Sequence, residues 1–292
     1  MDFSSAPLND SSSGWIKHWK QITDEFKPDR EVDTWFLMGS PWPMMVILLL
    51  YLQFVLKSGP EMMKNRPPLK LRGLIIFYNT FQICLNGALF FSCFGTPGFV
   101  SYVWRECCRP TAVAVSPQEA AHLLLFNRGS WWFLMAKVLD LLDTVFFVLN
   151  KKNSHISFLH VYHHSSMMLT VWFGFKYIRP LHSTLPGVLN ALIHVIMYTY
   201  YLVSILSPGI GKKYIRMKMI VTRLQIVQFV VILAHCTAVY MNCPVPRSII
   251  YLLFFHVTAF LILFLNFYIK QYIIKKGNNH ELKSSTKKSH SF

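Results

Sequence analysis

Three histidines stand close together in an apolar run of this sequence. His160, His163 and His164 occur at offsets of 0, +3 and +4. If the run is helical, this spacing puts all three imidazoles on one face, within a turn of each other. An isolated polar side chain in hydrocarbon costs free energy unless another group pairs with it, so a cluster of three indicates a functional site.

A second stretch carries two acids within apolar sequence. Lys137, Asp140 and Thr144 share a helical face at i, i+3 and i+7, and Asp143 lies on its flank. One interpretation is an internal ion pair that lets the helix enter a membrane. The other is that this helix faces the histidines and that a carboxylate orients an imidazole by a hydrogen bond. The sequence leaves both open.

A third stretch has a polar stripe at helical spacing. Asn190, His194, Met197, Tyr198 and Tyr201 follow i, i+4, i+7, i+8 and i+11. A lone histidine there would be interpreted as a core residue. With a second histidine cluster in the same chain, we instead predict a function for His194 and Asn190.

A weaker version of this pattern follows in the next apolar run. Thr222, Gln225 and Gln228 share a face, and hydrogen bonding between helices explains them equally well. His235 and His256 are isolated, and we interpret both as core residues.

Two chemistries could use such a set of side chains. Histidine clusters bind iron, but one box plus His194 supplies too few ligands for a di-iron oxidase or desaturase, and one helical turn rarely gives a mononuclear metal three well-placed ligands. Imidazole can instead act as acid, base or nucleophile, attacking a thioester to give an acyl-imidazole while a neighbouring His or Asn polarises an oxygen. We therefore expect a site without a metal or other cofactor.

Composition predicts the elements that hold these residues. Hydrophobic residues make up 53% and charged residues 14% of the 292, whereas roughly 25% are charged in an ordinary globular domain. This favours an all-α polytopic membrane protein. Stretches of about 20 apolar residues suit spanning helices, and we predict seven: 35–56, 73–95, 131–150, 156–176, 187–206, 217–240 and 248–273. The third and fourth are the weakest because they carry charges and histidines.

Charge and cysteines predict an orientation. The formal net charge is +16, and its Lys and Arg concentrate on the side of the C-terminus, which should be cytosolic. Such segments fit an anionic membrane or a phosphate-bearing substrate, and no stacking module favours nucleic acid. Cys107, Cys108 and Cys243 fall on the lumenal side, where disulfides form, and we expect Cys243 to pair with one of the other two.

The chain divides into three predicted parts. Residues 1–34 form a polar lumenal tail with a glycosylation sequence at Asn9. Residues 35–273 form the membrane domain, and residues 274–292 form a basic, disordered cytosolic tail.

Four motifs in order give the sequence a resemblance to a known family. They are Lys64-Asn65-Arg66-Pro67 with Leu71-Arg72 and Tyr78-Asn79, the box His160-Val-Tyr-His163-His164, Asn190-Ala-Leu-Ile-His194-Val-Ile-Met197-Tyr198, and Thr222-Arg-Leu-Gln225-Ile-Val-Gln228. The chain resembles the fatty-acid elongases, the very-long-chain 3-oxoacyl-CoA synthases of the endoplasmic reticulum, from about Trp35 to Tyr272. One departure is Asp140, which stands where the family usually has Glu and is one methylene shorter.

The resemblance implies a fold and a reaction. Six of seven helices should form an inverted barrel around an acyl tunnel that opens to the cytosol, and the enzyme should condense a long acyl-CoA with malonyl-CoA. It implies His163 as the acyl acceptor, His160 and His164 in support, and His194 with Asn190 assisting transfer and decarboxylation. Lys137, Asp140 and Asp143 complete the predicted catalytic set.

The resemblance also implies substrate contacts and partners. The predicted contacts to the acyl and CoA groups are Arg66, Arg72, Lys151, Lys152, Lys212, Lys213, Arg216, Tyr198, Tyr201, Gln225 and Gln228. Expected partners are membrane lipid, the reductases and dehydratase that complete an elongation cycle, and a homo- or hetero-oligomer. A membrane iron oxidase or desaturase and a seven-helix receptor or transporter are the alternatives.

Overall fold

The computed structural model describes residues 30–108, 116–178, 181–207, 211–243 and 247–274, and within these ranges the chain is helical without a β-strand. The α-helices in chain order are α1 (Arg30–Asp33), α2 (Trp42–Gln53), α3 (Gly59–Met63), α4 (Arg72–Gly95), α5 (Phe99–Glu106), α6 (Pro117–Leu149), α7 (Phe158–Phe173), α8 (Thr184–Leu206), α9 (Gly211–Asn242) and α10 (Arg247–Tyr268). The Asn9 sequence and the basic C-terminal tail lie outside the described residues.

Five helical stretches are long and apolar enough to cross a membrane. They are Trp42–Met63, Arg72–Gly95, Leu181–Leu206, Arg216–Asn242 and Ile250–Ile274. In the most apolar part of each stretch, at most 33% of the residues are buried inside the protein. Most of their apolar surface therefore has no protein partner and is suited to lipid, as expected for a multi-pass membrane protein.

The other two predicted spans are helices, but neither belongs to these five stretches. The predicted third span begins at 131, whereas α6 begins at Pro117, because the Ser116 hydroxyl caps the helix by accepting from the Glu119 N–H. Hydropathy detects only the more apolar part of α6. The predicted fourth span corresponds to α7 and the π-helical turn Gly174–Ile178 after it.

The first predicted span also has different ends. It was predicted over 35–56, whereas α2 begins at Trp42 and continues through a π-helical turn, Phe54–Ser58, into α3. Pro60 follows this turn, and its missing N–H explains a local change in the hydrogen-bond ladder. A Cβ on Gly59 would lie 2.6 Å from the Phe54 carbonyl oxygen and 2.8 Å from Val148 Cγ1, so glycine permits this close approach to α6.

Six helices contact one another in a cyclic order. Helix α6 packs against α7 and α4, α4 packs along α8, α8 contacts α9, α9 contacts α10, and α10 contacts α7. Helix α2 is not part of this cyclic order. Its buried side chains pack in a cluster with residues of α6 and α7. The polar stretches on α6, α7 and α8 therefore belong to the group of six helices.

Two links fix opposite ends of the helices. A disulfide joins Cys108, after α5, to Cys243, after α9, which confirms the predicted pairing and selects Cys108 over Cys107. At the other end, the Leu69 N–H donates to the Leu149 carbonyl oxygen at 3.1 Å. The basic connections after α3 and α6 therefore meet at the end of the molecule away from the disulfide.

Candidate active site

The histidine box begins in the first turn of α7. Its N-cap is Ser157, whose hydroxyl accepts from the His160 N–H at 3.2 Å. The His160 and His164 ring centroids are 4.2 Å apart, and those of His163 and His164 are 5.6 Å apart. The predicted clustering of the three imidazoles is therefore present.

A hydroxyl group, rather than a carboxylate, orients the box. The Thr144 hydroxyl lies 2.9 Å from His160 Nε2, and the Tyr51 hydroxyl lies 2.8 Å from the Thr144 hydroxyl. Among the described residues no carboxylate hydrogen-bonds a box histidine. The prediction that α6 faces the box is confirmed, but the group that makes the contact is Thr144, because its Oγ lies one turn beyond Asp140 toward the start of α7.

Asp140 instead connects α6 to α4 and α8. Its Oδ2 accepts from Lys137 Nζ at 2.9 Å, and its Oδ1 accepts from Gln82 Nε2 at 2.9 Å. The same Oδ2 lies 3.6 Å from His194 Nδ1, and Lys137 Nζ lies 3.3 Å from His194 Nε2. The ion-pair interpretation from the sequence is therefore confirmed, whereas Asp140 makes no hydrogen bond to His194 and only lies beside its imidazole.

Tyr198 lies between the two acids. Its hydroxyl oxygen is 2.8 Å from Asp140 Oδ1 and 2.8 Å from Asp143 Oδ2, and Tyr78 reaches the same hydroxyl at 3.2 Å. All four side chains are buried. The predicted polar stripe on α8 thus meets the charged stretch of α6 directly.

An apolar cavity of about 310 Å³ opens beside the box. His163, Asn190 and Gln228 line it from α7, α8 and α9. All six helices of the cyclic order contribute to its wall, for example through Leu89, Phe133, Met167, Ala191, Ile232 and Val257. Such a cavity suits a long apolar ligand with its reactive end at the polar groups.

Several buried polar atoms at or near the cavity have no hydrogen-bond partner within the described residues. Asn190 Oδ1, His182 Nδ1 and Thr184 Oγ1 belong to residues that line the cavity, and His164 Nδ1 lies in the box beside it. A buried polar atom costs free energy unless a partner satisfies it. The unsatisfied Asn190 amide, whose residue lines the cavity, is the kind of group that a bound substrate could satisfy.

The other predicted site residues have more varied positions. Tyr201 packs against Tyr198 with ring centroids 5.9 Å apart, and Gln225 Nε2 lies 3.8 Å from Met197 Sδ. Neither residue lines the cavity, whereas Gln228 does. His235 hydrogen-bonds the His182 carbonyl oxygen at 2.9 Å, as expected for a core residue. His256 was also interpreted as a core residue, but it lines the cavity as well.

The predicted phosphate-binding cations lie away from this network. Those with described side chains are exposed: Arg66, Arg72, Lys151, Lys152 and Arg216. Lys151 Nζ donates to the Lys64 carbonyl oxygen at 3.2 Å, which places two of the basic connections together. The side chains of Lys212 and Lys213 lie outside the described residues.

Two residues of the site, Gln82 and Tyr51, are not predicted from the sequence. Gln82 reaches Asp140 from α4, where it shares a buried polar stripe with Tyr78 and Asn86 at i, i+4 and i+8. That spacing was a readable signal of the kind used for α8. Tyr51 is a single tyrosine in an apolar helix, and no spacing in the sequence indicates its contact with Thr144.

Metal ligation has one geometric candidate within the described residues, and it is not the histidine box. Cys107, Cys108 and Cys243 bring three ligand atoms together, but two of them form the disulfide. The expectation of a site without metal or cofactor remains a prediction.

Comparison with known proteins places this arrangement in a family. The family model described as ELO: GNS1/SUR4 family matches residues 36–280. The chain is 38% identical to very long chain fatty acid elongase 4 of Homo sapiens, over 84% of this chain and 76% of that protein. It is 36% identical to very long chain fatty acid elongase 1 of Mus musculus, over 84% of this chain and 86% of that protein. It is 34% identical to very long chain fatty acid elongase 7 of Drosophila melanogaster, over 89% of this chain and 78% of that protein. The chain therefore belongs to the ELO (GNS1/SUR4) family and has a role in fatty-acid elongation.

Proposed function

We propose that this protein is the condensing enzyme of elongation, a very-long-chain 3-oxoacyl-CoA synthase. It joins a long acyl-CoA to malonyl-CoA and releases carbon dioxide, coenzyme A and a 3-oxoacyl-CoA two carbons longer. The observation that carries this proposal is that His163 and Asn190 both line an apolar cavity. This supports a nucleophile and a carbonyl-polarising amide at the end of a bound acyl chain.

The proposed chemistry uses imidazole alone. Neutral His163 attacks the thioester carbonyl carbon, coenzyme A leaves, and an acyl-imidazole forms. His160, fixed through Thr144, and His164 hold the ring of His163 in position. His194 and Asn190 then assist loss of carbon dioxide from malonyl-CoA and the attack of the resulting carbanion on the acyl carbon. No metal or other cofactor takes part.

The acyl chain is proposed to lie in the cavity, with the six helices forming a barrel around it. Their cyclic order of contacts and their joint contribution to the cavity wall support this arrangement. From His163 and Asn190 the wall extends to Cys93, at the end of α4, and Phe99, at the start of α5. With α2 outside the barrel, the protein crosses the membrane seven times.

We further propose an orientation in the endoplasmic reticulum membrane. The disulfide end is lumenal, because disulfides persist in oxidising compartments. The opposite end, with exposed Arg66, Arg72 and Lys151, is cytosolic and meets the coenzyme A phosphates. The N-terminus is then lumenal and the C-terminus cytosolic. Reductases and a dehydratase act on the 3-oxo product, and the enzyme assembles with them or with further elongase chains.

The test is an elongation assay on membranes. Membranes that contain wild type, His163→Ala or the control His235→Ala are incubated with a panel of long acyl-CoAs and labelled malonyl-CoA. We expect labelled 3-oxoacyl product from wild type and His235→Ala and none above background from His163→Ala. Absence of label from well-folded wild type with every acyl-CoA, or equal label from His163→Ala, would contradict the proposal.

A further inference from the structure

Two buried carboxyl groups share a single phenol. The Tyr198 hydroxyl oxygen lies 2.8 Å from Asp140 Oδ1 and 2.8 Å from Asp143 Oδ2. A phenol has one proton to donate, and an ionised carboxylate only accepts. Tyr198 therefore satisfies one carboxylate, and the second short contact requires a proton on one of the two acids.

Charge assigns this proton to Asp143. Asp140 forms a buried ion pair with Lys137 at 2.9 Å and accepts a further hydrogen bond from Gln82, so its anion is stabilised. No ion pair to Asp143 occurs within the described residues, and its side chain is buried. With Asp143 neutral, the group of Lys137, Asp140 and Asp143 has no net charge, whereas an ionised Asp143 would leave an uncompensated buried anion.

The neighbours of Asp143 do not change this assignment. Tyr78 hydrogen-bonds the Leu139 carbonyl oxygen at 3.1 Å and also reaches Asp143, and Gln82 donates to the Tyr78 oxygen. Wherever the single Tyr78 proton lies, the short contact between Tyr198 and Asp143 still needs a proton of its own. Neither group supplies a positive charge. Tyr198 therefore donates to Asp140, and Asp143 donates to the Tyr198 oxygen.

The condensation has a use for such a proton. An acyl thioester and a malonyl thioester carboxylate, together with one proton, give the 3-oxoacyl thioester, carbon dioxide and a free thiol. The bond from the acyl carbon to sulfur breaks, the bond from the malonyl α-carbon to carbon dioxide breaks, and a new carbon–carbon bond forms. The thiol takes up the proton, so each turnover consumes one.

We propose that Asp143 is a protonated carboxylic acid that stores this proton and releases it through Tyr198 toward Asp140, beside His194. The inference rests on the proposed function. The route runs from Asp143 Oδ2 to the Tyr198 hydroxyl and on to Asp140, whose Oδ2 lies 3.6 Å from His194 Nδ1. His194 takes the proton from Asp140 and passes it to the departing coenzyme A sulfur, and a proton from bulk solvent returns to Asp143 after product leaves.

Infrared spectroscopy tests the stored proton without any turnover. Purified protein at neutral pH should show a carbonyl stretching band of a protonated carboxylic acid that shifts in D2O. We expect the band to disappear in Asp143→Asn and to persist in Glu61→Gln, which changes an exposed acid at the end of α3. A wild-type spectrum without such a band, or a band unchanged in Asp143→Asn, would overturn the assignment.

Kinetics test the release of the proton. Asp143→Asn and Tyr198→Phe should each lower kcat for condensation about 100-fold with little change in KM, because proton transfer, not binding, is lost. Asp143→Glu should retain part of kcat. Wild-type kcat in Asp143→Asn would refute the delivery role. If wild type makes no 3-oxoacyl product yet shows the band, the proposed function fails and the protonated Asp143 stands. If product forms but the band is absent, the proposed function stands and the protonated Asp143 is refuted.

Discussion

At the scale of single residues, the site is a set of polar side chains that satisfy one another. Asp140 is the centre of this set, since it contacts Lys137, Gln82 and Tyr198 at hydrogen-bond distance. Its short side chain reaches Lys137 on its own helix. The carboxylate stops 3.6 Å from His194, too far for a short hydrogen bond.

The Lys137–Asp140 pair provides a prediction about stability. Asp140→Asn leaves the buried Lys137 ammonium without its anion, and loss of one partner of a buried pair costs about 3–5 kcal/mol. We expect the melting temperature of the detergent-solubilised protein to fall in Asp140→Asn and in Lys137→Met. The double variant should recover part of the loss in melting temperature but not activity. A double variant whose loss is the sum of the two single losses would show that the two charges do not stabilise each other.

At the scale of elements, a helix outside the group of six completes the site. Tyr51 on α2 hydrogen-bonds Thr144, which hydrogen-bonds His160. If His160 donated from Nε2, either the Tyr51 proton or the Thr144 proton would be left without an acceptor in this chain of hydrogen bonds. Both hydroxyl protons have an acceptor when Tyr51 donates to Thr144 and Thr144 donates to His160 Nε2, so the proton of neutral His160 lies on Nδ1.

Tyr51→Phe therefore tests whether α2 positions the box. Loss of the phenol frees the Thr144 hydroxyl to accept from His160, and we expect kcat to fall about 10-fold with little change in KM, as for a lost hydrogen bond of about 1.4 kcal/mol. Tyr177→Phe is the control, because Tyr177 packs against the same core cluster and no hydrogen bond of its hydroxyl is described.

The dependence on Thr144 separates positioning from packing. Thr144→Ser keeps the hydroxyl and should keep most activity. The double variant Tyr51→Phe with Thr144→Val should be little less active than Thr144→Val alone, because both residues act through one chain of hydrogen bonds. Independent, additive losses would contradict that chain.

At the scale of the whole molecule, the helices enclose a cavity whose size limits what it can hold. Glycines permit part of this space. Gly187 on α8 lines the cavity, and a Cβ added there would meet nothing within 4 Å. A Cβ at this position therefore has room without disturbing the wall, and we expect a larger side chain there to extend into the cavity.

Gly187→Leu should shorten the acyl chains that the enzyme elongates. The added side chain occupies space that the end of a long chain would use, so activity on the longest acyl-CoAs should fall more than activity on shorter ones. Chain lengths of labelled products measure this effect. Gly87→Leu is the control, because Gly87 on α4 has equally open surroundings but does not line the cavity. Equal loss at every chain length would contradict a binding role for this part of the cavity.

The sequence by itself determined which residues matter and in what solvent they lie. Hydropathy located the five apolar spans to within several residues at most ends, and the spacing of His160 to His164 placed three imidazoles on one face. These features depend on the local chain and its solvent, so periodicity and composition are sufficient to predict them.

Tertiary structure decided which polar group meets which. Thr144, not a carboxylate, reaches His160, and Gln82 and Tyr51 come from helices that no local pattern connects to the box. Cys108 rather than Cys107 pairs with Cys243 for the same reason. Such choices depend on the rotation and vertical offset of helices against one another, and a difference of one residue along a helix turns a side chain by about 100°. Spacing within one helix carries no information about that offset.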